Sequence, residues 1–338
     1  MRCREPHRVL SGDSVLRFCL VGCGAIGRIH TEILLGEGAI PDWVVGRNLN
    51  ATREFASEFG FAHAGVDVHA AFARDAVDVV IVASPNDTHF PTTRAALLAG
   101  KDVLAEIPLA LSYREAVELV ELADRQRRVL MVAHSERFIP SLVAVRERVA
   151  RGELHIHHVI GHEAAPRREN VGWTGRQRSW TDSLLWHFGC HVVDFGLWLT
   201  GAHDVEVVSQ AVAPLVHGGE PFEIGMVLRT PADQLLTFAL SFHSHFQLHD
   251  YLIVGEEESL RFDRGRLSGP EGVRDDPAVR GEDYYRLSWD AQDREFLAAV
   301  RERRQPLMSG ADALPALAVL QTIQDRFQAE LAATPRRA

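Results

Sequence analysis

The run Gly22-Cys23-Gly24-Ala25-Ile26-Gly27 has the G-x-G-x-x-G spacing of a turn that brings bare backbone N–H groups up to a pyrophosphate. The first glycine allows the tight turn, the second the close approach, and the third the packing of helix against strand. An apolar run before it, Arg17 to Val21, and helical apolar spacing after it at Ile26, Ile29 and Ile33 supply the context that makes this pattern specific for a dinucleotide. About twenty residues further on, NAD pockets place an acidic residue on the ribose. Here that place holds Gly46, followed by Arg47 and Asn48. A carboxylate that would repel a 2'-phosphate is missing and a guanidinium that could grip one is present, so NADP(H) is expected over NAD. Arg47 as a plain solvated loop charge is the bland reading. A second set of residues suits proton transfer. His187 and His191 are four apart and share a face if helical, with Asp194 three residues on and Asp182 nearby to orient a ring. A third set, Arg137, Arg167, Arg168 and Arg178, has the planar fork that pairs with carboxylates. Each arginine taken singly is as well explained by a surface ion pair.

These groups need a scaffold. At 338 residues the chain exceeds one ordinary core and fits two domains with a cleft between them. Residues 15–138 alternate short β-branched strands, such as Val77 to Ala83, Asp102 to Ala105 and Val129 to Ala133, with helical stretches such as Tyr113 to Arg127. That rhythm reads as a parallel sheet flanked by helices, a Rossmann unit. Residues 139–338 begin with a helix (Ser141 to Arg151) and continue with strands near His155 to Ile160, Val205 to Ala213, Ile224 to Leu228, Leu235 to Phe242 and Leu252 to Gly255. Their alternation predicts a mainly antiparallel sheet in an α/β domain for substrate and oligomer contacts. Helices follow at Asp290 to Arg303 and Ala311 to Leu331, the last packing back on the first domain. Residues 1–14 read as a flexible tail with no signal-peptide pattern. A net charge of −10 argues against nucleic acid, and no apolar stretch reaches the ~18 residues of a membrane span. Cys3, Cys19, Cys23 and Cys190 lack C-x-x-C spacing, so reduced thiols and a cytoplasmic protein are expected.

Four motifs occur in a telling order: Ser84-Pro85-Asn86-Asp87-Thr88-His89, Glu106-Ile107-Pro108, Arg137-Phe138-Ile139-Pro140, and His187 to Asp194. With the glycine turn they resemble the Gfo/Idh/MocA family of NAD(P)-dependent oxidoreductases over nearly the whole chain. The resemblance implies that Ser84, Pro85, Asn86 and His89 lie near the cofactor, that Glu106 binds the nicotinamide ribose, and that Ile107-Pro108 is cis. It also implies that His191 is catalytic, that Asp194 lies beside the substrate, and that the open sheet pairs in a homodimer or homotetramer. Two departures matter: the family's E-K-P lysine is Ile107, and the first aspartate of D-x-G-x-H-x-x-D is His187. Further matches at Glu106 to Ala110, Arg167 to Asn170, Arg178 to Asp182, Leu184 to His187 and Gln292 to Phe296 resemble a branch serving aromatic-acid catabolism. That branch oxidises the cyclic hemiacetal of a carboxylated semialdehyde to a pyrone dicarboxylate.

Isoleucine cannot titrate, so the proton of a reacting hydroxyl falls to imidazole: His191 as base, His187 as donor or alternate base. Arg137, Arg167, Arg168, Asn170, Arg178, Trp180 and Thr181 are the candidate walls of a pocket for a small carboxylated molecule. The alternatives are a sugar or sugar-acid dehydrogenase of the same family and a regulator that senses the dinucleotide without turnover. Histidines 155, 157, 158 and 162 do not converge from one strand, so no metal is expected there.

Overall fold

Six apolar runs form one parallel sheet in the order β3-β2-β1-β4-β5-β6. They are β1 (Arg17–Val21), β2 (Ile40–Val45), β3 (His63–Gly65), β4 (Val79–Val82), β5 (Asp102–Ala105) and β6 (Leu130–Val132). This is a computed structural model, and it describes residues 15–167, 183–213, 215–216 and 220–333. Every residue of β4 and β5 is buried, because helices cover both faces. Those helices are α1 (Ala25–Gly36), α2 (Leu49–Phe59), α3 (Val68–Phe72), α4 (His89–Leu98) and α5 (Tyr113–Gln126). Local chemistry sets their ends: the Ser112 hydroxyl accepts from Glu115 N at 3.2 Å to start α5, and Arg127 closes it in the left-handed conformation, φ 53°.

After α6 (Pro140–Ala150) the chain builds an eight-stranded sheet from β7 (Ile156–Ala164), β8 (Glu206–Val212), β11 (Glu223–Arg229), β12 (Leu235–Ser241), β13 (Leu248–Gly255), β14 (Ser259–Asp263), β15 (Arg266–Gly269) and β16 (Gly272–Asp275). A small ribbon, β9 (Leu215–Val216) with β10 (Glu220–Pro221), interrupts the series. The order is β16-β15-β14-β13-β7-β12-β11-β8, antiparallel except for the pair β7 and β12. One face is covered by α7 (Cys190–Thr200), where Gly196 lets the helix sit on Phe238 and Leu236. Gly161 of β7 leaves room for the Tyr251 ring, since a Cβ there would lie 2.7 Å from its carbons. Two helices then return: α8 (Tyr284–Glu302) packs against α1, and α9 (Gly310–Ala333) against α5 and α7.

The structure differs from expectation in three places. Strand β13 begins at Leu248, four residues early, and β14 to β16 were not legible because they are short and bury only Leu260, Phe262 and Leu267. Helix α8 begins at Tyr284, where the Asp283 carboxylate accepts from Tyr285 N at 3.0 Å. Immediately before α7, Leu185–Gly189 form a π turn, so His187 and His191 are not related by plain α-helical geometry. No helix among the described residues is long and apolar enough to cross a membrane.

Candidate active site

Gly22 turns at φ +116°, and a Cβ there would lie 2.2 Å from the Ala83 carbonyl oxygen. Gly27 is equally tight against Gly22, whereas a Cβ at Gly24 would meet nothing within 4 Å. Gly24 caps α1 without a side-chain hydrogen bond, so no cap side chain takes up the first-turn N–H groups around Ala25 and Ile26, which stand at the positive end of the helix dipole. This cradle fits a pyrophosphate. At Gly46 a Cβ would sit 2.4 Å from Thr52 Oγ1 and 2.9 Å from Cys23 Sγ. The Thr52 hydroxyl is held by the Asn48 carbonyl at 2.7 Å, so a side chain at position 46, a carboxylate included, would have to displace it. Asn48 uses its Oδ1 to accept from Asn50 N and Ala51 N, capping α2, instead of pointing that oxygen to a ligand.

The two loops expected beneath a nicotinamide are tied together by His89. Its buried ring reaches Pro108 O at 2.7 Å and Ser84 O at 2.8 Å, so it braces the turns. Ser84 and Thr88 hydroxyls pair at 2.7 Å, shaping the short turn Asn86–Thr88 after Pro85. The bond Ile107-Pro108 is cis. Ile107 is buried, and Glu106 beside it meets the His30 ring at 3.0 Å. The other His30 nitrogen lies 2.7 Å from Asp293 on α8. Burial opposes a charge on this ring, but Asp293 and then Glu106 outweigh it and raise its pKa to about 10. Stability from this ion is complete below the ordinary 6.5 and is lost as pH rises through about 10. His30→Asn is therefore expected to flatten the fall of unfolding free energy between those pH values, as urea titrations at stepped pH would reveal; an unchanged slope would remove His30 from the account.

Across from Glu106, α7 presents His191, one-fifth exposed. The rings of His187 and His134 stand edge-on to it at 6.0 and 6.2 Å between centroids. Burial lowers the His191 pKa against the opposing charge of Glu136, leaving a neutral ring at neutral pH. The structure gives Asp194 and Arg137 partners other than those expected. Arg137 donates to both Asp194 oxygens, at 2.8 and 2.7 Å, and both groups are largely buried. Thus Arg137 spends its fork inside the protein instead of on a substrate carboxylate. Asp194 stands 3.4 Å from His134, whose pKa burial depresses to about 4, and does not orient His191. Arg167 lies over the Phe188 and Phe242 rings, 5.7 and 5.1 Å away, on the side of the sheet that carries Glu163. Arg168, Asn170, Arg178, Trp180, Thr181 and Asp182 lie outside the described residues.

Several groups escaped sequence reasoning. Glu136 is buried, accepts from Tyr251 Oη at 2.9 Å, and lies 3.0 Å from His249 Nε2 and 3.9 Å from His191 Nδ1. Burial would raise its pKa, but the His249 charge wins and holds it below the usual range. His249 in turn is raised to about 9 despite burial, by Glu163 and Glu136. Burial raises Glu163 to about 8. Among the described residues, Glu136, Glu163 and His249 are also the group with cation-binding spacing. The four histidines of β7 and its approach have separate partners: Glu257, Glu256, Thr237 and Asp250 for His155, His157, His158 and His162. The only sequence hint of the Glu136 cluster is its place beside Arg137 in Ser135-Glu136-Arg137-Phe138.

Comparison with known proteins agrees with this architecture. Residues 16–134 match the oxidoreductase family with an NAD-binding Rossmann fold, and residues 140–253 match the C-terminal domain of bacterial oxidoreductases. The chain is 32% identical over 332 residues to 4-carboxy-2-hydroxymuconate-6-semialdehyde dehydrogenase of Sphingobium sp. (strain NBRC 103272 / SYK-6), covering 93% of this chain and 99% of that protein. Inositol 2-dehydrogenase of Corynebacterium glutamicum (strain ATCC 13032) is 27% identical over 77% of this chain and 75% of its own. Levoglucosan dehydrogenase, solved with NADH and L-sorbose, superposes with a TM-score of 0.81 at 20% identity, covering 94% of this chain and 98% of that one. With both halves matched and a relative aligned from end to end, this chain belongs to the Gfo/Idh/MocA family and is an NAD(P)-dependent oxidoreductase acting on hydroxyl or hemiacetal groups.

Proposed function

We propose that the protein is an NADP-preferring dehydrogenase that oxidises the ring hydroxyl of a small carboxylated hemiacetal, of the type 4-carboxy-2-hydroxymuconate-6-semialdehyde to 2-pyrone-4,6-dicarboxylate. The observation that carries the chemistry is His191, a partly exposed imidazole with lowered pKa within electrostatic range of Glu106, while apolar Ile107 fills the family's lysine position. A bound nicotinamide supplies the hydride acceptor. His191 takes the hydroxyl proton as the carbonyl forms, His187 donates to the substrate, and Glu106, braced by His30, holds a ribose hydroxyl. Arg167 and the arginines at 168 and 178 are the anion-binding candidates, with Asn170, Trp180 and Thr181 as further candidates for the pocket wall. Extensive similarity to the Sphingobium enzyme supports the substrate class.

The NADP preference is supported by Gly46, where a carboxylate would have to displace Thr52, and by Arg47 next to it. NADPH is expected to bind at least about tenfold more tightly than NADH, and Arg47→Ala to remove most of that difference, since a guanidinium–phosphate contact is charge-assisted. Fluorescence titrations of both cofactors decide it; tighter NADH binding would overturn the preference. Inositol and levoglucosan dehydrogenases among the relatives favour a second reading, a polyol or sugar substrate. Following reduced-nicotinamide absorbance with the semialdehyde, inositol and levoglucosan in parallel separates the two. Cofactor binding with no turnover on any of them would leave a sensing role.

A further inference from the structure

We propose that Glu136 is the carboxylate that fixes the tautomer of His191, holding a proton on Nδ1 so that Nε2 is bare toward the substrate, with His249 and Tyr251 keeping Glu136 in position. This inference rests on the reading of His191 as the base. Among the described residues, Glu136 is the carboxylate that comes within ion-pair range of that ring. Asp194 accepts both forks of Arg137, and Glu106 is paired with His30. His191 Nδ1 is buried without a hydrogen-bond partner, and Glu136 Oε1 lies 3.9 Å away. Contacts of this kind are commonly long before substrate binds and tighten in the reacting complex. The carboxylate itself is well prepared: Oε2 accepts from Tyr251 Oη and Oε1 faces His249 Nε2. Tyr251 can reach it because Gly161 of the neighbouring strand leaves space for the ring.

The charges facing His191 are Glu136 and His249 from the adjoining turn and sheet, Glu106 from the cofactor loop, Asp194 from its own helix, and the rings of His134 and His187. His249, whose pKa Glu163 and Glu136 raise against burial, stands as the positive partner beside Glu136, so the carboxylate proposed to orient His191 is held charged in its buried place. A positioning carboxylate of this kind is the logic of the Ser-His-Asp triad, where losing the charge leaves the wrong tautomer in place.

The test uses Glu136→Gln, Glu136→Asp and His191→Asn in the full-length enzyme, with kcat, KM, cofactor affinity and the pH profile of kcat/KM. Glu136→Gln is expected to lower kcat by about 10²-fold or more at nearly unchanged KM and to move the acidic limb to lower pH, because an anion that favours the protonated ring is lost. Glu136→Asp keeps the charge but shortens its reach, and is expected to restore the limb and about tenfold of the lost kcat while staying below the parental rate. If the Gln variant does not fold, the Asp variant alone decides: reduced kcat with the parental limb supports the inference, parental kcat overturns it. A Gln variant that melts earlier but keeps parental kcat and limb shows a structural role only and also overturns it. An acidic limb that persists in His191→Asn means that the base is elsewhere. A limb lost in His191→Asn yet unmoved in Glu136→Gln rejects Glu136 and leaves His191 standing.

Discussion

Replacing His191 by Asn is expected to lower turnover by about 10² to 10⁴ while cofactor affinity stays within about twofold. The asymmetry follows from where the ring lies. His191 sits on α7, over the second sheet, whereas the phosphate cradle and Gly46 belong to the first. Asn keeps a polar side chain of similar reach and removes the titratable nitrogen. Because burial lowers the pKa of His191, the parent should stay active below the ordinary 6.5, with the acidic limb of kcat/KM beneath that value. A variant with parental turnover would end the assignment of His191 as base, and a large parallel loss of cofactor affinity would show that its effect is not chemical.

Arg137→Ala carries the largest expected cost in stability, about 3 to 5 kcal/mol, because it abandons a buried carboxylate. The Asp194 side chain is 2% exposed, and its other close ionisable neighbour, His134, stays neutral until about pH 4. Burial alone would raise the Asp194 pKa, but Arg137 reverses that and holds it below 3.8. The pair thus contributes stability present above that value and lost as acid protonates Asp194. Urea unfolding of Arg137→Ala and of Arg137→Ala with Asp194→Asn should show the second change recovering part of the loss, since it deletes the stranded charge. A single-variant cost under about 1 kcal/mol would mean that water or another cation reaches Asp194.

What could be read in advance, and what could not, follows the range of the constraints. Gly22, Gly24 and Gly27 are bound by the geometry of one turn, and the all-buried β4 and β5 announce a parallel sheet from a few residues each. The His191 neighbourhood is assembled from afar: Tyr251 is 115 positions from Glu136, Asp194 is 57 from Arg137, and Asp293 is 263 from His30. No local period marks such pairs. Arg137 illustrates the resulting ambiguity, since an arginine ahead of a proposed catalytic helix looks the same whether its partner is a ligand or the helix's own aspartate. Asn48 shows another: a polar residue beside a cofactor loop was also the natural start signal of α2. The π turn at Leu185–Gly189 leaves no composition signature, so the relative phase of His187 and His191 was beyond sequence reasoning.

Gly46 has a consequence for its neighbours. Thr52 Oγ1 and Cys23 Sγ occupy the volume where its β-carbon would go, so a substitution here displaces its neighbours. Thr52 Oγ1 or Cys23 Sγ must shift before a side chain can arrive at 46, and the Thr52 hydroxyl is committed to the Asn48 carbonyl at the head of α2. The volume beside Gly46 is therefore shared by the glycine turn, through Cys23, and the first turn of α2, through Thr52, so an exchange at position 46 is felt by both loops at once.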